Sequence, residues 1–129
     1  MLVLDTCALI FDALEPRRLS KAAGRAIEEA DARGELAISG ISLWETAMLV
    51  ERGRLDPGAS AEEFLRIAIA ARGIAVIPIS VAIAARAVAL DLKGDPADRI
   101  IAATTLESGG RLVTSDRALR RARRIPTIW

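Results

Sequence analysis

The sequence predicts an α/β fold: a central parallel sheet of four to five strands flanked by helices, in three α/β/α layers. Three observations predict it. Short apolar runs alternate with longer amphipathic stretches from end to end, as in strands joined by helical crossovers. The apolar content is mainly Ala, Ile, Leu and Val, with only 3% aromatics, which suits helices packed on a sheet better than an all-β sandwich. No repeat, low-complexity stretch or linker divides the chain, so residues 1–129 are expected to form one domain. A domain of that length buries roughly two-thirds of its unfolded surface and needs no disulfides.

Met1 to Leu4 is an uninterrupted apolar run and reads as a buried strand ending at Asp5. Cys7 to Leu14 has helical character and stops before Pro16. Ser20 offers an N-cap for a helix to about Arg33, with Gly34 as its stop. Leu36 to Ser39 is a second strand, and Ser42 is expected to open a helix ending near Gly53. Ser60 caps the next helix, with Glu63 at its third position. Ile74 to Ile79 is a third strand, assigned to a sheet edge because Pro78 cannot donate to a ladder. Val81 to Leu92 is helical, with Ile83, Ala87 and Leu90 on one face, and Gly94 breaks it. Asp95–Pro96 starts a further helix. Arg111 to Thr114 is a fourth strand, Arg117 to Arg123 a short basic helix, and Ile125 to Ile128 a candidate last strand.

Composition narrows the chemistry. Cys7 is the only cysteine, so no intramolecular disulfide or cysteine-rich zinc site can form. No signal peptide or membrane-spanning run is evident, and a cytoplasmic location is expected. There is no histidine. That removes serine–histidine triads and two-histidine ribonuclease mechanisms, so a hydrolase here must rely on carboxylates and a metal. Net charge is only +1, but Arg117, Arg120, Arg121, Arg123 and Arg124 crowd one segment with no acid among them. Such a cluster either contacts phosphates or forms a solvated helix face.

Four acids stand where strands hand over to helices: Asp5, Glu45, Asp98 and Asp116. In an open parallel sheet, ligands bind beyond the carboxyl ends of the strands. Four carboxylates in one cleft repel, so either some stay protonated or a cation neutralises them. Mg²⁺ or Mn²⁺ is the natural partner for an all-oxygen set and activates water against a phosphodiester. Each acid also has a structural reading. Ser42–Leu43–Trp44–Glu45 fits a capping box with Glu45 in the first turn, Asp98 stands in the same relation to Asp95, and Asp116 fits an ordinary N-cap. Asp5 ends an apolar central strand, where a carboxylate is costly to bury without a partner.

Together these stretches resemble the PIN-domain family, in its VapC-like toxin branch. Leu4–Asp5–Thr6–Cys7–Ala8–Leu9–Ile10 resembles the first motif and Ser42-x-Trp44–Glu45 the second. Asp95–Pro96–Ala97–Asp98–Arg99–Ile100–Ile101–Ala102–Ala103–Thr104 resembles the third, and Leu112–Val113–Thr114–Ser115–Asp116 the fourth. Order and spacing match along the whole chain. The resemblance implies a PIN domain over residues 1–129 and an acidic quartet, Asp5, Glu45, Asp98 and Asp116, binding Mg²⁺ or Mn²⁺. It implies endoribonuclease activity, commonly on transfer or ribosomal RNA. It further implies a homodimer inhibited by a cognate antitoxin, with Thr114 at a hydroxyl position near the site.

The expected mechanism is hydrolysis of an RNA phosphodiester. Asp5 and Asp98 hold the principal metal, Asp116 completes that site or a second, and Glu45 orients or deprotonates the attacking water. Thr6, Thr114, Arg99 and Arg117 are candidates for support or substrate contact, with Arg99 pairing with a carboxylate or reaching a phosphate. The cluster from Arg117 to Arg124 would bind RNA or antitoxin. Asp95 is fully explained as an N-cap and is not expected to touch the metal. Cys7 is expected as apolar filler, and Trp44 and Trp129 as core or dimer packing. A non-catalytic PIN-like module binding RNA or protein is the alternative. A phosphoacceptor receiver domain fails because Asp5 stands alone after its strand and neither Lys21 nor Lys93 follows a strand.

Overall fold

The computed structural model describes all 129 residues. In chain order the elements are β1 (Leu2–Leu4), α1 (Thr6–Leu14), a 3₁₀ turn (Pro16–Arg18), α2 (Lys21–Arg33), β2 (Leu36–Ser39), α3 (Gly40–Glu51) and α4 (Ala61–Arg72). There follow β3 (Ala75–Ile77), α5 (Val81–Ala89), α6 (Pro96–Glu107), β4 (Arg111–Val113), α7 (Arg117–Arg121) and β5 (Thr127–Ile128). The five strands form one sheet in the order β3-β2-β1-β4-β5, every neighbour parallel. β1 lies at the centre, paired Leu4↔Ile38 with β2 and Leu4↔Val113 with β4, and β3 lies at the expected edge.

Strand periodicity divides the core into two layers. Leu2, Leu4, Leu36, Ile38 and Val113 face one side and pack with Leu9 of α1, Ile27 of α2 and Phe64 of α4. Val3, Ala37 and Leu112 face the other and pack with Ile101 of α6, Leu119 of α7 and Ile125. Fully burying one such leucine or isoleucine contributes roughly 1.5–3 kcal/mol. The central strands β1 and β2 are therefore covered on both faces, which is why they read as continuous apolar runs rather than alternating ones.

Local signals set the element ends. Ser20 accepts from Ala23 N at 3.0 Å, and Gly34 closes α2 in the left-handed region at φ 67°. Ser60 accepts from Glu63 N at 3.1 Å. Gly110 answers a different need: a Cβ there would lie 2.4 Å from the Met1 carbonyl oxygen, beside the first ladder bond between β1 and β4.

Several sequence expectations need correction. α3 begins at Gly40, not Ser42, because Ser39 caps it directly off β2 by accepting from Ile41 N. Ser42 is thus an interior, fully buried helical residue. Glu45 stands beyond the first turn, so the capping-box reading of Glu45 fails. α5 stops at Ala89, with Leu90 as its C-cap, three residues short of Leu92. β3 ends at Ile77, before Pro78, and β5 is confined to Thr127–Ile128. Cys7 is exposed rather than packed as filler. Trp44 is 59% exposed and contributes nothing to the core. Trp129 does pack against the first core layer, its ring 6.5 Å from that of Phe11.

Candidate active site

A parallel sheet places every strand's carboxyl end on one edge, and the four acids arrive there by separate routes. Asp5 follows β1 and continues its ladder, its N–H donating to Val113 O at 3.1 Å. Its carboxylate caps α1, Oδ1 accepting from Ala8 N at 2.7 Å. Spacing did not suggest this role, and it supplies the partner that a buried carboxylate requires. Asp5 is only 8% exposed. Burial pushes its carboxyl above the usual range, the Asp116 charge adds to this, and hydrogen bonds from the Thr114 hydroxyl and the Ala8 N–H oppose it.

Glu45, half-buried on α3, meets α1 through Thr6, whose Oγ1 lies 2.5 Å from Glu45 Oε1. Ser42 Oγ completes the group 3.0 Å from the same threonine oxygen. Burial raises the Glu45 carboxyl; the Thr6 hydrogen bond opposes the shift, and the charges of Asp95 and Asp5 reinforce it. Asp98, in the first turn of α6, is also half-buried. Its carboxyl is pushed up to about 7, first by burial and then by the charges of Asp116, Asp95, Glu45 and Asp5. Asp116 is exposed and caps α7, accepting from Leu119 N at 3.0 Å, while its own N–H donates to Thr114 Oγ1 at 3.0 Å.

The four acids thus share one electrostatic neighbourhood, as the shifts at Asp5, Glu45 and Asp98 require. Asp95 joins it. It does cap α6, through Ala97 N at 3.0 Å, but its charge also raises both Glu45 and Asp98. Of the supporting candidates, Thr6 is hydrogen-bonded to Glu45, and Thr114 lies between Asp5, whose carboxyl it lowers, and the Asp116 N–H, from which it accepts. Arg99 does not pair with a carboxylate: its Nε donates to the Leu92 carbonyl at 2.9 Å and steadies the segment leading into α6. Arg117 is exposed directly after Asp116. Cys7, though it reaches the surface, is partly desolvated beside the acids, and its thiol is pushed up to about 11, by desolvation first and then by Asp5, Glu45 and Asp98, so it stays protonated near neutral pH.

Sequence reasoning missed the buried hydroxyls beneath these acids. Ser39, Ser42, Thr46 and Thr104 are all fully buried. Thr104 Oγ1 lies 3.2 Å from Ser39 Oγ and 2.7 Å from Ile100 O, which ties α6 to the end of β2. Ser42 and Thr46, four apart on α3, form a polar stripe facing inward, and that spacing was a readable signal. No buried side-chain polar atom lacks a partner.

As the side chains stand, no three carboxylates converge closely enough to enclose an ion. The chemistry of the donor set nevertheless fits a hard divalent cation. Every group is an oxygen donor, and the Asp98 carboxyl, raised by burial and by its acidic neighbours, favours a proton that a cation would displace.

The family model for the PIN domain matches residues 2–125. The ribonuclease VapC22 of Mycobacterium tuberculosis is 43% identical over 131 residues, spanning 98% of this chain and 97% of that protein. Among solved structures, VapBC2 from Rickettsia felis, bound to a DNA fragment from its promoter, superposes with a TM-score of 0.76 at 18% identity, covering 98% of this chain and 96% of that one. A toxin–antitoxin complex from Klebsiella pneumoniae gives 0.66 at 23% identity, covering 100% and 97%.

Proposed function

The chain belongs to the PIN domain family, and from that premise we propose that it is a VapC-like endoribonuclease, the toxin partner of a cognate antitoxin. The observation that carries the reading is Asp98. A carboxyl raised to about 7, first by burial and then by the charges of Asp116, Asp95, Glu45 and Asp5, marks a concentrated negative field at the sheet's carboxyl edge. With no histidine in the chain, that field is the chemistry available for cutting a phosphodiester.

Asp5, Asp98 and Asp116, with Glu45, would hold Mg²⁺ or Mn²⁺. When bound, such an ion acts as a Lewis acid toward the phosphate and lowers the pKa of water. Glu45 orients the attacking water and accepts its proton, and Thr6 holds the Glu45 carboxylate by its Oε1. Thr114 fixes both ends of the site, binding the Asp5 carboxyl and accepting from the Asp116 N–H. Transfer or ribosomal RNA is the target class that the family resemblance supports. A homodimer acting in the cytoplasm completes the proposal.

The test is Asp5→Asn. Asparagine keeps the α1 cap, since it is as good an N-cap as aspartate, so the substitution removes charge without removing the helix start. Cleavage of total cellular RNA in Mg²⁺, read by sequencing the ends produced, should fall by roughly a thousandfold or more. A folded Asp5→Asn protein that cuts at near wild-type rate refutes the assignment.

A further inference from the structure

The five C-terminal arginines do not form one surface. Arg117, Arg120 and Arg121 line a cavity of about 420 Å³ with Thr127 of β5 and no apolar residue. Arg123 and Arg124 turn the other way, into a cleft of about 400 Å³ shared with Leu90, Leu92 and Asp91. Positions 117, 120 and 121 are one, three and four apart on α7, so their side chains share one face. Helix α7 is pinned beneath them by Leu119, 2% exposed, and the following turn by Ile125, 5% exposed. All three arginines are exposed, and none forms a salt bridge within the chain. The row starts one residue after Asp116 and shares its cavity with Thr127 of β5, the outer edge strand.

We propose that Arg117, Arg120, Arg121 and the Thr127 hydroxyl form the track that grips the phosphate backbone of the RNA on its way into the acidic site, and that Arg123 and Arg124 take no part. The inference rests on the ribonuclease reading above. Unpaired guanidinium groups held on a rigid platform match phosphate oxygens through their planar forks. The all-polar lining favours RNA over a protein partner, because protein interfaces have cores depleted in charge, whereas nucleic-acid interfaces are polar and positive. The track also resolves an electrostatic difficulty. A cluster of acids repels an incoming polyanion, and three exposed cations on the helix that Asp116 caps offset that repulsion where the strand enters.

The experiment measures anisotropy of a fluorescein-labelled, mixed-sequence single-stranded RNA of about 20 nucleotides, in EDTA to prevent cutting, across a salt series. Replacing Arg117, Arg120 and Arg121 together by Gln should weaken binding at least tenfold. It should also lower the slope of log affinity against log salt by about 2, near 0.7 per lost phosphate contact. The Arg123→Gln, Arg124→Gln double variant should bind as wild type does. Urea titration checks that both variants are folded. Unchanged RNA affinity in the triple variant, including the case where antitoxin binding is lost instead, overturns the track. So does an equal loss per arginine in both variants. Wild-type protein that binds this RNA but never cuts RNA in Mg²⁺ refutes the ribonuclease reading alone, and a wild type without salt-sensitive binding refutes both.

Discussion

Asp98→Asn should make the metal-free protein more stable while abolishing its activity. In the folded state the Asp98 carboxyl is raised from an ordinary value near 3.8 to about 7. The folded protein therefore holds its proton more tightly than the unfolded chain does. The stability this contributes is complete below about pH 4, falls as pH rises, and is gone above about pH 7. Taken whole, the shift would amount to roughly 4 kcal/mol. Asp98 is only half-buried, however, and solvent screening reduces that to about 1–2 kcal/mol. Asparagine also forfeits a favourable charge in the first turn of α6, about 0.5 kcal/mol. It breaks no protein hydrogen bond of the Asp98 side chain. The net expectation at about pH 8 is a gain of roughly 1 kcal/mol, read in urea as a midpoint higher by about 0.5 M. The gain should vanish by about pH 4, where wild-type Asp98 is protonated. Titrations in EDTA at the two pH values decide the matter. A variant no more stable than wild type at pH 8, or one whose gain persists at pH 4, would show that burial and the neighbouring charges do not hold the Asp98 carboxyl above its ordinary value.

Saturating Mg²⁺ should reverse that order. At about a hundred times its dissociation constant, a ligand stabilises the folded state by roughly 2.7 kcal/mol, so wild type should melt higher in Mg²⁺ than in EDTA while Asp98→Asn shifts far less; equal shifts would count against the site. Arg72→Met should cost about 2–4 kcal/mol in urea unfolding, because Arg72 grips Asp12 with two hydrogen bonds of 2.9 and 3.1 Å and also binds Glu28 and Asp31, joining α4 to α1 and α2. Asp12 is almost wholly buried, so Asp12→Asn added to Arg72→Met should recover part of that loss. Gly110→Ala should cost about 3 kcal/mol, since the new Cβ meets a main-chain carbonyl that can retreat only by disturbing the β1–β4 ladder; an unchanged melting temperature would contradict that geometry.

The architecture was legible because its main signals are local. Uninterrupted apolar triplets mark strands buried on both faces, and Ser20, Ser60 and Asp95 cap their helices as their side chains dictate. The error at α3 has a specific origin. Ser39 and Ser42 both look like caps, and only tertiary structure chooses between them: β2 delivers Ser39 to the helix start, while Ser42 is required inside, against Thr6. The same contact explains why Glu45 belongs with the acids despite its misjudged position, since Thr6 reaches across from α1 to hold it. The division of the arginines into two faces was hidden for a related reason. It depends on where Leu119 and Ile125 anchor the chain, and spacing does not reveal that.

Clustering acids at this edge follows from the topology. Each crossover helix of a parallel sheet begins at the strands' carboxyl ends, where unsatisfied N–H groups and the positive ends of helix dipoles collect. Asp5, Asp95 and Asp116 each satisfy one such N–H at 2.7–3.0 Å, so the folded chain has a structural use for three of these charges before any ligand arrives. Asp98 and Glu45 have no comparable main-chain contact, and beside burial their shifts come from the surrounding acids. Their excess repulsion is the part of the site that structure alone does not offset. A divalent cation should therefore act most strongly on these two, and substitutions there should separate stability from activity more cleanly than substitutions at the capping acids.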